Sequence, residues 1–190
     1  MPEPSHAERP ALWTPASLPS VIPIVPLPPD LAAPNLQADA LSLGPALAED
    51  GPERLIDRRG SLFRLHIPEP TGEQIPCVIL PLDRLFEIRA AAALRLWRGL
   101  SGRLPGRDPA ILPAARRDRL VLALRALDGR IEKASYRDIA EALFGTSRMP
   151  ERAWKTYDLR DRTARLARLG QAMMQGGYRR LLLYPFRGRI

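Results

Sequence analysis

The chain has 190 residues, of which 29 are lysine or arginine and 21 are acidic, so its net charge is +8. The length fits one domain or two small ones, and the 45% apolar content is typical of a globular protein. The single cysteine, Cys77, excludes a disulfide framework and any cysteine-based zinc or iron–sulfur site, and no apolar run is long enough for a membrane-spanning helix.

The charge is distributed unevenly along the chain. Residues 1–53 carry a net charge of −6, whereas residues 54–190 carry +14, of which +8 falls in 146–190. A GC-rich genome explains why 27 of the 29 basic residues are arginine, but it does not explain their clustering. Nucleic acid is therefore the predicted class of partner. The acidic, proline-rich N-terminus is unlike a secretory signal and predicts a cytoplasmic protein.

The first half of the chain predicts a small β-sheet capped by a helix. Residues 21–27 are apolar and β-branched, but prolines 23 and 26 cannot donate to a ladder, so this segment suits an edge strand or an extended arm. Residues 28–53 are predicted as loop. Residues 55–67 alternate in polarity and predict a hairpin that turns near Gly60, and 75–80 predict a further strand. A helix follows from about 83 to 100, with Leu85, Ile88, Ala92 and Trp97 on its apolar face.

The second half predicts three helices. The first covers 116–128 and ends at Gly129, and the second begins after Ser135, which forms a capping box with Asp138, and ends at Gly145. The third covers 158–175 and is broken by glycines 176 and 177, before a short helix or strand over 178–186. Their apolar sides comprise, in order, Leu120, Val121, Leu124 and Leu127; Ile139, Ala140, Leu143 and Phe144; and Leu159, Thr163, Leu166, Gly170 and Met173.

No set of residues resembles an active site. The chain has no glycine-rich phosphate loop, its carboxylates fit solvated helix faces, and no histidine is spaced to activate a serine. His66 is predicted to be a surface or packing residue and Cys77 a small core residue. We therefore expect a protein that is not an enzyme and has no metal and no cofactor.

The three helices have the outline of a helix-turn-helix. The helix over 116–128 braces the short second helix, in which Ala140 is small enough for the third helix to cross closely. The connection from Gly145 to about Tyr157 is longer than the usual turn of about 3–4 residues. Either an extra short helix occupies 150–155 or the crossing is unusual.

The polar face of the third helix is the predicted DNA-reading surface. Arginine and glutamine read guanine and adenine edges in the major groove, and basic residues around the helix contact phosphates. The reading face comprises Arg160, Ala164, Arg168 and Gln171, with Lys155 and Thr156 near the helix start and with Arg148, Arg152, Arg165 and Arg179 mostly on phosphates.

An ordinary surface helix, or an arginine-rich protein-binding face, is the competing interpretation. Two pairs have the acid four residues before the arginine, which stabilises an isolated helix. These pairs are Asp158–Arg162 and Asp161–Arg165. Arg160 and Arg168 have no such partner, so the DNA-binding hypothesis depends more on them, together with Lys155.

Six segments of the sequence resemble one known family. They are ALDGRIEKASYRDIAEALFG (126–145), AWKTYDLRDRTARL (153–166), MMQGGYRRLL (173–182), LWTPASLPSVIPIVPLPP (12–29), RRGSLFRLHIP (58–68) and CVILPLDRLFEIRAAAALRLWRGLSG (77–102). Together they resemble the RovC-like DNA-binding domain family of proteobacterial regulators, which is linked to type VI secretion and to integrative and conjugative elements. The resemblance covers nearly the whole chain and is most specific in the first three segments.

The resemblance implies a helix-turn-helix transcriptional regulator whose DNA-reading unit is SYRDIAEALFG with WKTYDLRDRTARL. It also implies a homo-oligomer if the protein is an activator, or contact with another transcription regulator if it is an antiactivator. The full prediction is an α+β protein with a small α+β domain over 1–104, including a proline-rich arm, and a helix-turn-helix domain over 105–190. Its predicted function is sequence-specific binding of double-stranded DNA as a transcriptional activator; the alternative is an antiactivator that binds a protein.

Overall fold

The structure is a computed structural model, and it describes residues 11–31, 41–69, 71, 74–145 and 158–186. The chain divides into two units, one formed by Met1–Ala110 with Leu182–Ile190 and the other by Ile111–Leu181. The first contains a five-stranded sheet and a helix, and the second is helical, so the predicted α+β class is confirmed. Within the described ranges, no helix is both long and apolar enough to cross a membrane.

The first unit contains five strands and one long helix. They are β1 (Ile22–Pro26), β2 (Ala48–Asp50), β3 (Glu53–Arg58), β4 (Ser61–His66), β5 (Pro76–Val78) and α1 (Phe86–Leu100), besides a 3₁₀ turn over Pro29–Leu31. The second unit contains α2 (Ala114–Ile131), α3 (Tyr136–Phe144), α4 (Asp158–Ala172) and a π-helical turn (Met173–Gly177). The short helix α5 (Arg179–Leu182) follows and reaches the boundary between the units.

The predicted hairpin is confirmed. Strands β3 and β4 pair antiparallel from Glu53 opposite His66 to Arg58 opposite Ser61. Arg59 and Gly60 form the turn with φ of 54° and 73°, the backbone that a two-residue hairpin turn requires. The amide of Gly60 donates to Oδ1 of Asp57 at 3.0 Å, which closes the turn.

Strand β1 is not the edge strand or arm that the prolines predicted. The strand order is β2-β3-β4-β1-β5, so β1 lies between β4, with which it is parallel, and β5, with which it is antiparallel. The prolines are accommodated because both ladders are short. Pro23 uses its carbonyl to accept from the amide of Ile79 at 3.2 Å, and Pro26 stands opposite Pro76, where neither residue can donate. The predicted loop over 28–53 also contains β2, which pairs with β3.

Helix α1 covers the sheet with a face that differs from the prediction. It starts at Phe86, because the carboxylate of Asp83 accepts from the amide of Leu85 at 2.8 Å and forms a turn before the helix. Ala92 and Leu96 join the sheet core. The predicted core residue Trp97 is 44% exposed, and the Arg103 guanidinium lies 5.0 Å from its ring centroid. The sheet contributes Ile22, Ile24, Ile56, Phe63 and Leu65 to this core.

The first unit also buries an arginine. Arg95 is 8% exposed, and its guanidinium lies 5.2 Å from the centroid of the Phe63 ring. It forms an ion pair of 3.2 Å with Asp108 and donates to the Gly106 carbonyl at 3.4 Å. The buried charge is thus paired, as the cost of burying an isolated ion requires, and it attaches the segment after α1 to the sheet core.

Of the four apolar residues predicted for the buried face of α2, only Leu127 is buried. Leu120 is half-buried and Val121 and Leu124 are exposed, while the core side consists of Ala123, Ala126 and Leu127. The small residues are buried because they allow neighbouring helices to approach closely. Gly129 does not end the helix; it lies within α2, where an added Cβ would be 2.8 Å from Cγ1 of Ile139 in α3.

Helix α3 begins with the predicted capping box. The Ser135 hydroxyl accepts from the amide of Asp138 at 3.2 Å, and the Asp138 carboxylate accepts from the Ser135 amide at 3.0 Å. The helix ends at Gly145, which has a φ of 84°. The predicted start and end of this helix are therefore confirmed.

We expect Asp138→Asn to reduce the loss of folding stability that occurs as the pH falls. Hydrogen bonds from the hydroxyl and then the amide of Ser135 hold the pKa of Asp138 below its ordinary value. A carboxylate with a lowered folded-state pKa stabilises the fold above its unfolded pKa, and that stability is lost as the pH falls through the folded value. Urea unfolding between about pH 5 and pH 2 should show a larger loss for the wild type than for the variant. Equal losses would contradict the assignment.

Helix α4 buries the predicted stripe. Thr163 is fully buried, and its hydroxyl donates to the Leu159 carbonyl at 2.8 Å; Leu166 is 6% exposed. Leu166 belongs to a core cluster with Ala123, Ala126, Ile139 and Ala167. Gly170 lies directly against α2. The regular helix ends at Ala172, earlier than the predicted 175, and the predicted break occurs at Gly176, which has a φ of 107°.

Candidate nucleic-acid interface

The outer side of α4 is basic and exposed. Arg160, Arg165, Arg168 and Gln171 are all exposed, and Ala164 is half-buried. The burial of Ala167 makes the buried side of α4 wider than the predicted stripe. At about 100° per residue, the direction opposite that side passes near Arg165 and Arg168. Arg160 and Gln171 both lie to one side of that direction, about a quarter turn from it.

Among the described side chains, no carboxylate of α4 forms an ion pair with the arginines of this face. In the described part of the chain, no ion pair joins Asp161 and Arg165, although their spacing would permit one. Arg168 donates from Nε to the Ala164 carbonyl at 3.3 Å. Arg162 packs its guanidinium 4.5 Å from the centroid of the Phe144 ring. The positive charge of Arg160, Arg165 and Arg168 thus remains available to an anion.

Four of the predicted contact residues lie outside the described residues: Arg148, Arg152, Lys155 and Thr156. The same holds for the long connection, for the predicted extra helix over 150–155 and for the side chain of Asp158. Arg179 is exposed on α5. Of the ten predicted contact residues, the structure therefore brings together on α4 only those between Arg160 and Gln171.

Two arginines of α2 border α4 and were missed by the sequence analysis. Arg119 lines a cleft with Arg162 and Arg165, and Arg130 lines a second cleft with Arg168 and Gln171. Eleven residues separate Arg119 from Arg130, which is about three helical turns, so both lie on the same side of α2. In the sequence, the signal for these two arginines is their eleven-residue spacing on the helix side that also carries Ala123 and Ala126.

The other residues considered for chemistry, His66 and Cys77, lie on strands of the sheet. Nδ1 of His66 lies 2.9 Å from Oε1 of Glu53, across the β3–β4 ladder. Cys77 is half-buried in β5, not a core residue as predicted. Among the described residues, no group of histidine, cysteine and carboxylate side chains is arranged to hold a metal ion.

Residues 79–183 match the family model RovC_DNA-bd, whose description is "T6SS, Transcription factor, DNA binding domain". The matched region is more than half of the chain and includes α1 to α4. Neither a curated protein nor a solved structure matches the chain.

Proposed function

Because the chain belongs to the RovC_DNA-bd family of type VI secretion transcription-factor DNA-binding domains, we propose that it reads DNA sequence with helix α4. The family is a DNA-binding family and not an enzyme family, and DNA is its partner. The further steps of the proposal are that α2, α3 and α4 form a helix-turn-helix and that the protein activates transcription in the cytoplasm. The two units would then serve as two domains, of which Ile111–Leu181 binds DNA.

The packing of the second unit supports a helix-turn-helix. Helix α3 contacts both α2 and α4, and its buried Ile139 lies in one cluster with Ala123 of α2 and Leu166 of α4. This contact fixes one side of α4 and leaves its arginine-bearing side exposed. An α-helix about 10–12 Å in diameter fits the major groove, which is about 12 Å wide. Helix α4 is thus supported from behind by its neighbours and has the dimensions of a reading helix.

Each exposed residue of α4 has a proposed role. Arg168, Arg160 and Gln171 face base edges, which present the acceptors and donors that arginine and glutamine bind in pairs. Arg165 and Arg179 position the helix on phosphates, a role that also suits Arg148, Arg152, Lys155 and Thr156 near the start of α4. Ala164 is small enough for the backbone of α4 to approach the bases.

The observation that carries the proposal is the set of exposed arginines without carboxylate partners. A surface arginine that serves only helix stability is expected to pair with an acid one turn away. Arg160, Arg165 and Arg168 have no such ion pair within the described residues, although Asp161 lies on the same helix. Their charge therefore favours an external anion.

Selection of bound duplexes from a random DNA pool at near-physiological salt tests this function. We expect the wild type to enrich one motif and Arg160→Ala/Arg168→Ala to lose it. Each arginine that binds a base through two hydrogen bonds should contribute about 1–3 kcal/mol of discrimination. Arg125→Ala, an exposed arginine on α2 outside both α4 clefts, is the matched control and should keep the motif. A motif that survives the double substitution would place the reading residues elsewhere.

An antiactivator is the second candidate, because α2 has an exposed apolar stripe. Val121, Leu124 and Ile131 are 44%, 49% and 62% exposed and lie away from the buried alanine side. Such a stripe on a helix suits contact with a protein, either another regulator or a second copy of the chain. In a reporter assay, Leu124→Glu should abolish regulation and leave DNA affinity unchanged if this candidate is right. Unchanged regulation would exclude that role for the stripe.

A further inference from the structure

Helix α2 places one arginine in each of two clefts beside α4. Arg119 and Arg130 are about three turns apart, which at about 1.5 Å per residue is about 16 Å along the helix axis. Both side chains are exposed, and both lie on the side of α2 that faces α4. We call these clefts the Arg119 cleft and the Arg130 cleft.

The Arg119 cleft is strongly positive. Its lining includes Arg119 from α2 and Arg162 and Arg165 from α4, against one carboxylate, Asp118. The Asp118 carboxylate lies 3.8 Å from Nε of the neighbouring Arg117, so part of its charge is already matched outside the cleft. The Arg162 guanidinium packs on the Phe144 ring, so Arg119 and Arg165 are the arginines left to bind a ligand in this groove. An anion between them would relieve the repulsion of their like charges.

Among the described residues, those that line the Arg130 cleft include no carboxylate, and the cleft holds its arginine in place. The Arg130 guanidinium lies 4.8 Å from the centroid of the Tyr136 ring and donates from Nη1 to the Ala134 carbonyl at 2.6 Å. A guanidinium has five N–H donors, so this anchoring leaves others for a ligand. Arg168 and Gln171 line the opposite wall. An anchored arginine loses little side-chain entropy when it binds.

We propose that Arg119 and Arg130 bind DNA backbone phosphates on the two sides of the groove that α4 enters. Their separation of about 16 Å is about 4 Å larger than the major-groove width of about 12 Å, so each arginine would lie about 2 Å beyond one edge of the groove. Helix α2 would then lie across the groove and contact backbone phosphates on both of its sides, while α4 contacts the bases between them. The proposal rests on the function proposed above, since it requires α4 to occupy the groove.

The salt dependence of binding tests the proposal with full-length protein and a duplex bearing the selected motif. Each lost phosphate contact should lower the slope of log affinity against log salt by about 0.9. We expect this decrease for Arg119→Gln and for Arg130→Gln, with twice the decrease for the double variant. Arg130→Lys keeps the charge and should keep the slope, and Arg125→Gln is the matched control for simple loss of net charge. The affinity ratio between the motif and random DNA should not change, because phosphates carry no sequence information.

Each other outcome overturns the inference in a distinguishable way. Unchanged slopes for Arg119→Gln and Arg130→Gln, with the motif lost in Arg160→Ala/Arg168→Ala, would refute the phosphate clefts and leave the reading helix standing. An equal decrease for Arg125→Gln would show that only net charge acts. A wild type that enriches no motif would refute the proposed function and the clefts together. Arg119 is exposed, so Arg119→Gln stays informative if Arg130→Gln melts early.

Discussion

Leu166→Ala should lower the free energy of unfolding by about 2–5 kcal/mol, the range for removing a buried leucine side chain. Leu166 is 6% exposed and packs in the cluster with Ala123, Ala126, Ile139 and Ala167. Three of these four neighbours are alanines, but the partly buried Leu122 and Leu143 also pack against the cluster. Their side chains can fill part of the cavity, so the loss should lie in the middle of the range. Urea unfolding followed by circular dichroism measures it.

The matched control is Leu124→Ala on α2. Leu124 is 49% exposed, so its truncation leaves no cavity and should change stability by no more than about 0.5 kcal/mol. The comparison separates burial from residue type, because both variants remove the same atoms from a helix. A melting temperature unchanged by Leu166→Ala would show that this side of α4 is not core.

Gly170→Ala should destabilise the second unit although alanine favours helices. An added Cβ at Gly170 would clash with the backbone carbonyl oxygen of Ala123 and lie 2.8 Å from Cβ of Leu127. Neither group can turn aside, so α4 must move away from α2. Overpacking of this kind costs up to about 3 kcal/mol, and helix propensity returns only about 1 kcal/mol. We expect a net loss of about 2 kcal/mol in urea unfolding.

Gly129→Ala provides the control, because it makes the same substitution in a neighbouring helix. Its Cβ would lie 2.8 Å from Cγ1 of Ile139, a buried side-chain atom and not backbone. Rearrangement of that one side chain relieves part of the strain, so the loss should be smaller than for Gly170→Ala. If both variants lost equal stability, the close backbone approach at Gly170 would not be the cause.

Local signals in the sequence predicted most of the elements. The hairpin is encoded by alternation through Phe63 and Leu65 and by a glycine at the turn, and these act within a dozen residues. The capping box of Ser135 and Asp138 acts within three residues. The stripe of α4 was predictable because Thr163 and Leu166 follow the helical period and face a single core.

Features that depend on distant parts of the chain were not predictable. The position of β1 depends on which strands remain unpaired elsewhere, and the prolines pointed to an edge. On α2 the large apolar residues pointed to the wrong face, because close packing against α4 selects Ala123 and Ala126 for burial over Val121 and Leu124. The exposed basic side of α4 was predicted from its own period. The position of Arg130 beside Arg168 and Gln171 was not, since it requires knowing that α2 lies beside α4.

The packing of α1 determines which fragments of the chain can stand alone. The family match begins at residue 79, after the last strand, yet Ala92 and Leu96 of α1 are buried against Ile22, Ile24 and Phe63, which all precede it. A fragment cut to the matched region would carry α1 without the surface that covers its apolar side. Such a fragment would expose that apolar side to water, and we expect it to aggregate. The smallest self-contained fragment that includes α1 must therefore begin before Val21.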